Sequence, residues 1–271
     1  MAAADTLTAS AAAPDVPVRN VSSADLTVVL REGWQDFLAK RGDLIFVGLI
    51  YPLIGFAAAA VSLGGALIPL FFPIAAGIGL LGPVAALGFY ELARRREAGL
   101  EAGWSHFFDV TKRPAWDSIV AVTGILLVIF AAWIAVAWSL YAAFFAAPPE
   151  SVGAFLEALF TTPRGWGLIL VGNLIGLGFA ALVLMLSVVS LPMLVDRDVD
   201  ARIALRTSIR AVMANKGTMF RWGLIVAVLL VLGSIPAFVG LAFVLPWLGY
   251  STWHLYTRLV DRSALPAGGA G

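Results

Sequence analysis

The chain is 271 residues long, 61% hydrophobic and only 13% charged. Water-soluble domains run nearer half apolar and a quarter charged, so this excess excludes a soluble globular protein and points to a membrane one. Eighteen Lys+Arg against seventeen Asp+Glu leave a net +1 and no basic field for nucleic acid, while zero cysteines exclude disulfides, thiolate nucleophiles, Cys-ligated zinc, iron–sulfur clusters and covalent c-type haem.

Residues 1–20 are Ala-rich, with Pro14 and Pro17, and lack a basic stretch followed by an apolar run. They read as a disordered cytoplasmic tail rather than a signal peptide. Ser22 followed by Asp25 resembles a capping box and starts a helix. Residues 44–90 carry no charge between Asp43 and Glu91. As one helix they would run about 70 Å, more than twice a bilayer core of roughly 30 Å, so they must form two spans. The turn is placed at Leu63-Gly64-Gly65. Residues 118–149 and 165–195 each suit one tilted span, and Pro148-Pro149-Glu150-Ser151 between them leads into an interfacial helix. That helix carries Val152, Phe155, Leu156, Leu159 and Phe160 at helical spacing and ends near Thr161-Thr162-Pro163. Residues 222–257 are uncharged apart from His254, and Gly233-Ser234-Ile235-Pro236 breaks them into a short hairpin. The count is six spans, with five as the alternative. Residues 263–271 read as a second disordered tail.

Basic residues set the orientation. Lys40, Arg41, Arg94, Arg95, Arg96, Lys112, Arg113, Arg197, Arg202, Arg206, Arg210, Lys216 and Arg221 fall on one side, joined by Arg258 and Arg262 in the six-span arrangement. The other side has only Arg164, beside Glu150 and Glu157. The positive-inside rule puts both termini in the cytoplasm of a bacterial inner membrane.

Three stretches share one apolar spacing: Leu30, Trp34, Phe37, Leu38; Leu100, Trp104, Phe107, Phe108; and Leu205, Ile209, Val212, Met213. Each is a single stripe of an amphipathic helix. Arg41-Gly42 matches Lys216-Gly217, Gly48-Leu49-Ile50 matches Gly223-Leu224-Ile225, and the middle copy retains Gly124-Ile125-Leu126. The predicted fold is therefore an all-α, polytopic membrane helix bundle. Its six transmembrane helices form three hairpins, each preceded by a cytoplasmic amphipathic helix, in repeat units at about 21–96, 97–198 and 199–262. The single membrane domain spans 21–262.

Chemistry is sparse. No ionisable residue falls at the centre of a proposed span, which argues against a proton- or sodium-driven pump. Asn173, within Gly172-Asn173-Leu174-Ile175-Gly176, is expected to bond across a close helix contact. Pro69, Pro73, Gly77, Gly79, Gly82, Pro83 and Gly88 cluster in the second span, either as a kink or as the broken helix that lines a substrate path. Glu91, one turn before Arg94-Arg95-Arg96, is expected to pair with them. His106 reads as solvated and His254 as part of an aromatic belt with Trp247, Tyr250, Trp253 and Tyr256. No catalytic set, cofactor or metal is expected. The residues singled out for an interface or a solute path are Trp34, Trp104, Pro73, Pro83, Glu91, Asn173, Phe155 and Phe160.

Gly33-Trp34 through Phe37, Gly82-Pro83 with Gly88-Phe89-Tyr90-Glu91, Arg94-Arg95-Arg96-Glu97 and Leu191-Pro192-Met193-Leu194 together resemble a bacterial family of predicted integral membrane proteins. That family is classed as a domain of unknown function, and some members are labelled cytochrome c oxidase subunit-like. The resemblance runs over residues 25–260 and implies no activity, substrate or site residue. The expected role is that of a non-enzymatic inner-membrane scaffold or accessory component of a membrane complex or of lipid organisation. Its partners would be membrane lipids and another integral membrane protein or a second copy, with no nucleic acid. A transporter of a small apolar or amphiphilic solute, or an accessory subunit of a respiratory oxidase, are the alternatives.

Overall fold

The computed structural model describes residues 16–39, 53, 60, 67–145, 147–236 and 238–265. The expected first span, the Leu63-Gly64-Gly65 turn, Arg41-Gly42, Gly48-Leu49-Ile50 and residues 1–15 and 266–271 of the two tails lie outside the described residues.

The described chain is helical. Helix α1 (Ser23–Ala39) leads to a 3₁₀ turn (Ile68–Leu70), then α2 (Phe71–Leu80), α3 (Gly82–Ala85) and α4 (Leu87–Glu97). A 3₁₀ segment (Trp104–Lys112) precedes α5 (Trp116–Phe144), α6 (Val152–Thr161), α7 (Pro163–Ser187) and α8 (Ser190–Asp196). Then come α9 (Ala201–Ala214), α10 (Lys216–Ser234), α11 (Leu241–Leu259) and a last 3₁₀ turn (Arg262–Ala264).

Among the described residues, three helices are long and apolar enough to cross a membrane: Trp116–Phe144, Pro163–Asp196 (α7 with α8) and Lys216–Ser234. Only 22%, 33% and 17% of their most apolar stretches are buried, so these helices present most of their surface outward, as lipid-facing helices do. Against the six spans expected, the described residues hold three such helices. The expected second span is cut into α2, α3 and α4, with Leu81 and Ala86 at ψ near −1° and −7° between them. The expected last span, α11, has Pro246 within it and a Trp-, Tyr- and His-bearing second half that is buried inside the protein.

Capping explains several boundaries. Ser22 and Asp25 exchange bonds: the Ser22 N–H donates to Asp25 Oδ2 (2.7 Å) and the Asp25 N–H to Ser22 Oγ (3.3 Å). Ser151 Oγ accepts from the Ala154 N–H at the start of α6, and Thr162 Oγ1 from the Gly165 N–H at the start of α7. Helix α4 ends at Gly99, whose φ of +69° suits glycine. There the Leu100 N–H reaches the Arg95 carbonyl (2.8 Å) and the Gly99 N–H the Arg96 carbonyl (3.1 Å), a Schellman motif. The chain leaves it as the 3₁₀ segment rather than as the amphipathic α-helix expected over 100–108.

The densest core lies at one end, where α1, α4, α8, α9 and α11 meet. Every residue of α8 is buried. Ser208 on α9 closes the bend between α7 and α8, accepting from the Val189 N–H (3.2 Å) and donating to the Met185 carbonyl (2.8 Å). Helix α1 lies against α11, and the two approach closely because Gly33 faces Ser251: a Cβ at Gly33 would stand 2.6 Å from the Ser251 backbone nitrogen. Residues 16–20, expected in a disordered tail, instead pair with the end of the chain. Val18 forms an antiparallel bridge with Val260, and the Arg19 N–H donates to the Leu259 carbonyl (2.8 Å). Val16 and Val21 bury their side chains there, which gives this segment a reason to be ordered.

Candidate functional site: a charged layer at one end of the bundle

The last two turns of α4 carry Glu91 and three consecutive arginines. Successive helical residues point about 100° apart, so the arginines fan out to different neighbours. Arg94 turns back along its own helix and grips Glu91 with two hydrogen bonds, Nε–Oε2 3.0 Å and Nη2–Oε1 2.7 Å. Arg95 reaches the 3₁₀ segment, donating to the Glu101 carbonyl (2.6 Å) and lying 3.5 Å from Asp109 Oδ2. Arg96 reaches α1, with Nε 3.0 Å from Asp36 Oδ1. Glu91 is 1% exposed. Arg113, itself buried, places Nε 3.9 Å from Glu91 Oε2, and that nitrogen has no hydrogen-bond partner. Glu91 therefore sits between two guanidiniums, as its expected pairing with the arginines required in outline.

A second carboxylate, Asp196 at the end of α8, is also buried. Tyr256 Oη donates to its Oδ2 (2.9 Å), Arg197 Nε lies 3.1 Å away and Arg262 Nη1 3.7 Å away. Glu97 accepts from Trp253 Nε1 (3.0 Å) and from Arg262 Nη2. Burial works against the Glu97 charge, but the Arg262 hydrogen bond and charge with the Trp253 bond hold its carboxyl below the usual range. Asp109 is likewise held low, chiefly by Lys112, whose Nζ stands 2.6 Å from Oδ1.

The third group ties α1 to α11. His254 Nε2 lies 2.9 Å from Asp36 Oδ2 and Nδ1 3.5 Å from Glu32 Oε2, while Arg258 Nη2 donates to Glu32 Oε1 (2.8 Å). His254 thus faces two carboxylates of α1, not an aromatic belt. Sequence reasoning missed this group, although a signal was present. Glu32 and Asp36 are four apart on one helix, and His254 and Arg258 four apart on another, so each pair forms one face.

The other singled-out residues are dispersed. Trp34 and Trp104 are 37% and 55% exposed. Helix α1 instead buries Leu26, Val29, Gly33 and Phe37, and α9 buries Ala204, Thr207, Ser208 and Ala211. Helix α9 turns a face of small residues inward, one position before the expected stripe, and α1 shifts the same way at Val29 and Gly33 while keeping Phe37 of that stripe buried; small side chains permit close helix approach, and large apolar ones can face lipid. Trp34 still meets Trp247 edge-on, with ring centroids 5.1 Å apart. Asn173 is exposed and donates to the Ile169 carbonyl of its own helix (2.7 Å), so the expected bond across a helix contact is absent within the chain; one amide N–H is satisfied one turn back. Pro73 offers its carbonyl to Trp133 Nε1 (2.8 Å), and Pro83 lies in the first turn of α3. Phe155 is buried against Tyr141 at the opposite end of the bundle, while Phe160 is 54% exposed beside Trp166.

Among the described residues, no group of three or more His, Cys, Asp or Glu side chains is placed to hold a metal ion. What the layer can do chemically is bind helices together and present guanidiniums. A cleft of about 240 Å³ opens in it, lined by Arg94, Glu97, Ala98, Asp196, Arg197 and Arg262.

No curated protein and no solved structure matches the chain. A family model does, over α2 to α8, the stretch that contains the broken second span, two of the three membrane-length helices, Glu91 and Asp196. Over residues 71–196 the chain is similar to a family of predicted integral membrane proteins, DUF2189, whose function is unknown.

Proposed function

We propose that this integral membrane protein is a non-enzymatic scaffold or accessory component of a bacterial inner-membrane complex, with both termini cytoplasmic. The observation that supports this reading most is how the polar groups are engaged. Glu91, Glu97, Asp196, Asp36 and Glu32 are each matched by arginine or histidine, mostly from another element, so the charged layer fastens α1, α4, α8 and α11 to one another. Such pairs fix one arrangement of helices more than they add net stability. The exposed Trp34, Trp104 and Phe108 at that same end, and Phe160 and Trp166 at the other, suit headgroup-level contact with lipid or with a neighbouring membrane protein.

The transporter reading draws on the interruptions at Leu81 and Ala86 in the second span. Against it, the glycine notches of that span are filled by aromatic rings: a Cβ at Gly77 would lie 2.2 Å from the Phe130 ring, and one at Gly88 2.4 Å from that of Phe107. The test is affinity purification from membranes in mild detergent, followed by identification of co-purifying proteins. We expect one integral membrane protein, a respiratory oxidase subunit among the possible hosts, or a second copy of this chain, to co-elute in near-stoichiometric amount. A monodisperse monomer with no co-eluting protein, which moves an amphiphilic solute into proteoliposomes, would replace the scaffold with the transporter.

A further inference from the structure

Helix α7 carries a polar side chain where a lipid-facing helix has least use for one. Asn173 is exposed and lies ten residues on from Pro163, about 15 Å into the helix and so near the middle of a bilayer core of roughly 30 Å. Its bond to the Ile169 carbonyl uses one of the two amide N–H groups; the second N–H and Oδ1 have no partner among the described residues. Serines on the membrane-length helices avoid this difficulty. Ser139 and Ser234 each give their single proton to the carbonyl four residues back, both at 2.8 Å. An amide has a further donor and a carbonyl oxygen left over, and hydrocarbon offers them nothing, so they call for a polar group on another helix. Asn173 is also in line with exposed neighbours. Trp166, Leu170, Asn173, Leu177 and Ala180 follow at steps of four, three, four and three residues, the spacing of a coiled-coil seam, and all five are exposed. Leu170 and Leu177, on either side of Asn173, are 67% and 57% exposed. One polar side chain in an otherwise apolar seam is the device that fixes register between paired helices.

The membrane itself selects the partner that completes this seam. Two copies inserted with the same topology and related by a twofold axis along the membrane normal bring α7 beside α7, parallel and at equal depth. Asn173 then meets Asn173, and a primary amide is its own complement, because the N–H of each donates to Oδ1 of the other. We propose that α7 is a dimer interface, in which two copies of this chain meet along residues 166–180 and are held in register by the paired Asn173 amides. The proposal rests on the scaffold reading and names a second copy as its partner, yet the two can fail separately. A monomer that retains a different membrane protein keeps the scaffold and loses the dimer, whereas a dimer that moves a solute does the reverse.

The test exploits the absence of any native cysteine. Single-cysteine variants of the full chain at Leu170, Val171, Leu177 and Val228 are oxidised with copper phenanthroline in native membranes. Facing positions of such a helix pair come within disulfide reach, so Leu170→Cys and Leu177→Cys are expected to give a cross-linked dimer. Val171→Cys, turned about 100° from Leu170 on the same helix, and Val228→Cys, exposed on α10, should stay monomeric. In parallel, donor- and acceptor-tagged chains are reconstituted in liposomes, and energy transfer is followed as the protein is diluted with lipid. Asn173→Leu, a change at an exposed position that removes the hydrogen bonds, should raise the dissociation constant roughly three- to twentyfold. Any of three results would overturn the interface: no dimer, or a different captured protein, at positions 170 and 177; cross-linking as strong at 171 or 228; or an Asn173→Leu chain that associates as tightly as the parent.

Discussion

Gly33 and Trp34 are neighbours on α1, and the bundle treats them oppositely: the glycine is buried at a helix crossing while the indole stays 37% exposed. In water the tryptophan would be the residue to hide. In a membrane a large apolar side chain is as well placed in lipid as in protein, and close approach between backbones decides which face turns inward. The energetic weight at this site therefore lies with Phe37, 2% exposed, rather than with Trp34 or Trp104. Phe37→Ala should cost about 3–5 kcal/mol, while Trp104→Ala should cost less than about 1 kcal/mol, compared by thermal aggregation in detergent. Equal losses at the two positions would mean that the 3₁₀ segment packs more tightly than its exposure indicates. The apolar spacing in the sequence located α1 and α9 well, but it could not tell a lipid-facing stripe from a buried one. The pairing of Glu91 with arginine was legible because both lie on one helix. Tyr256 with Asp196, and His254 with Asp36 and Glu32, join residues distant in sequence, and nothing local announces them.

At the scale of elements, α5, α6, α7 and α10 form where their apolar runs predict them, and Ser151 and Thr162 cap the starts of α6 and α7. The second span and the stretch after Gly99 depart because their sequences do not sustain an α-helix. Proline and glycine interrupt the first, and the Schellman turn redirects the second into a 3₁₀ path. Helix α1 depends on a single close crossing. Its Gly33 has no space for a side chain, since the obstructing atoms include the backbone of Ser251 and not only its movable hydroxyl. Gly33→Leu should detach α1 from α11, lowering the melting temperature by an amount equivalent to about 1–3 kcal/mol or more. Limited proteolysis should then cut within α1 first. A Gly33→Leu protein as resistant as the parent would show that the helix can slide to a new register without loss.

For the whole molecule, charge and apolar surface are segregated. Helix α5 begins at the charged end with Asp117, α7 returns to it, α10 leaves it at Lys216 and α11 comes back to it at Arg258. Arg164, Glu150 and Glu157 lie at the other end, around α6 and the start of α7. In the proposed orientation, which follows the positive-inside rule, Glu157 lies outside and both termini inside. Single cysteines introduced at Ala2, Glu157 and Ala270 would be probed with an impermeant thiol reagent in intact spheroplasts. Labelling is expected at position 157 alone; labelling at 270 would remove the even number of crossings, and protection at 157 with labelling at 2 would invert the protein.

The antiparallel bridge between Val18 and Val260 and the docking of α1 on α11 also impose an order in time. A ribosome adds roughly 5–20 residues per second, so the roughly 200 residues between the end of α1 and the start of α11 take about 10–40 s to make. Throughout that interval Leu26, Val29 and Phe37 have been synthesised while the surface that covers them has not. The nascent α1 must wait on the lipid interface or on a chaperone, and the molecule closes only when its final helix threads back beside its first. A pause or a premature stop before Leu241 would leave the three membrane-length helices described above in place and the bundle without its latch.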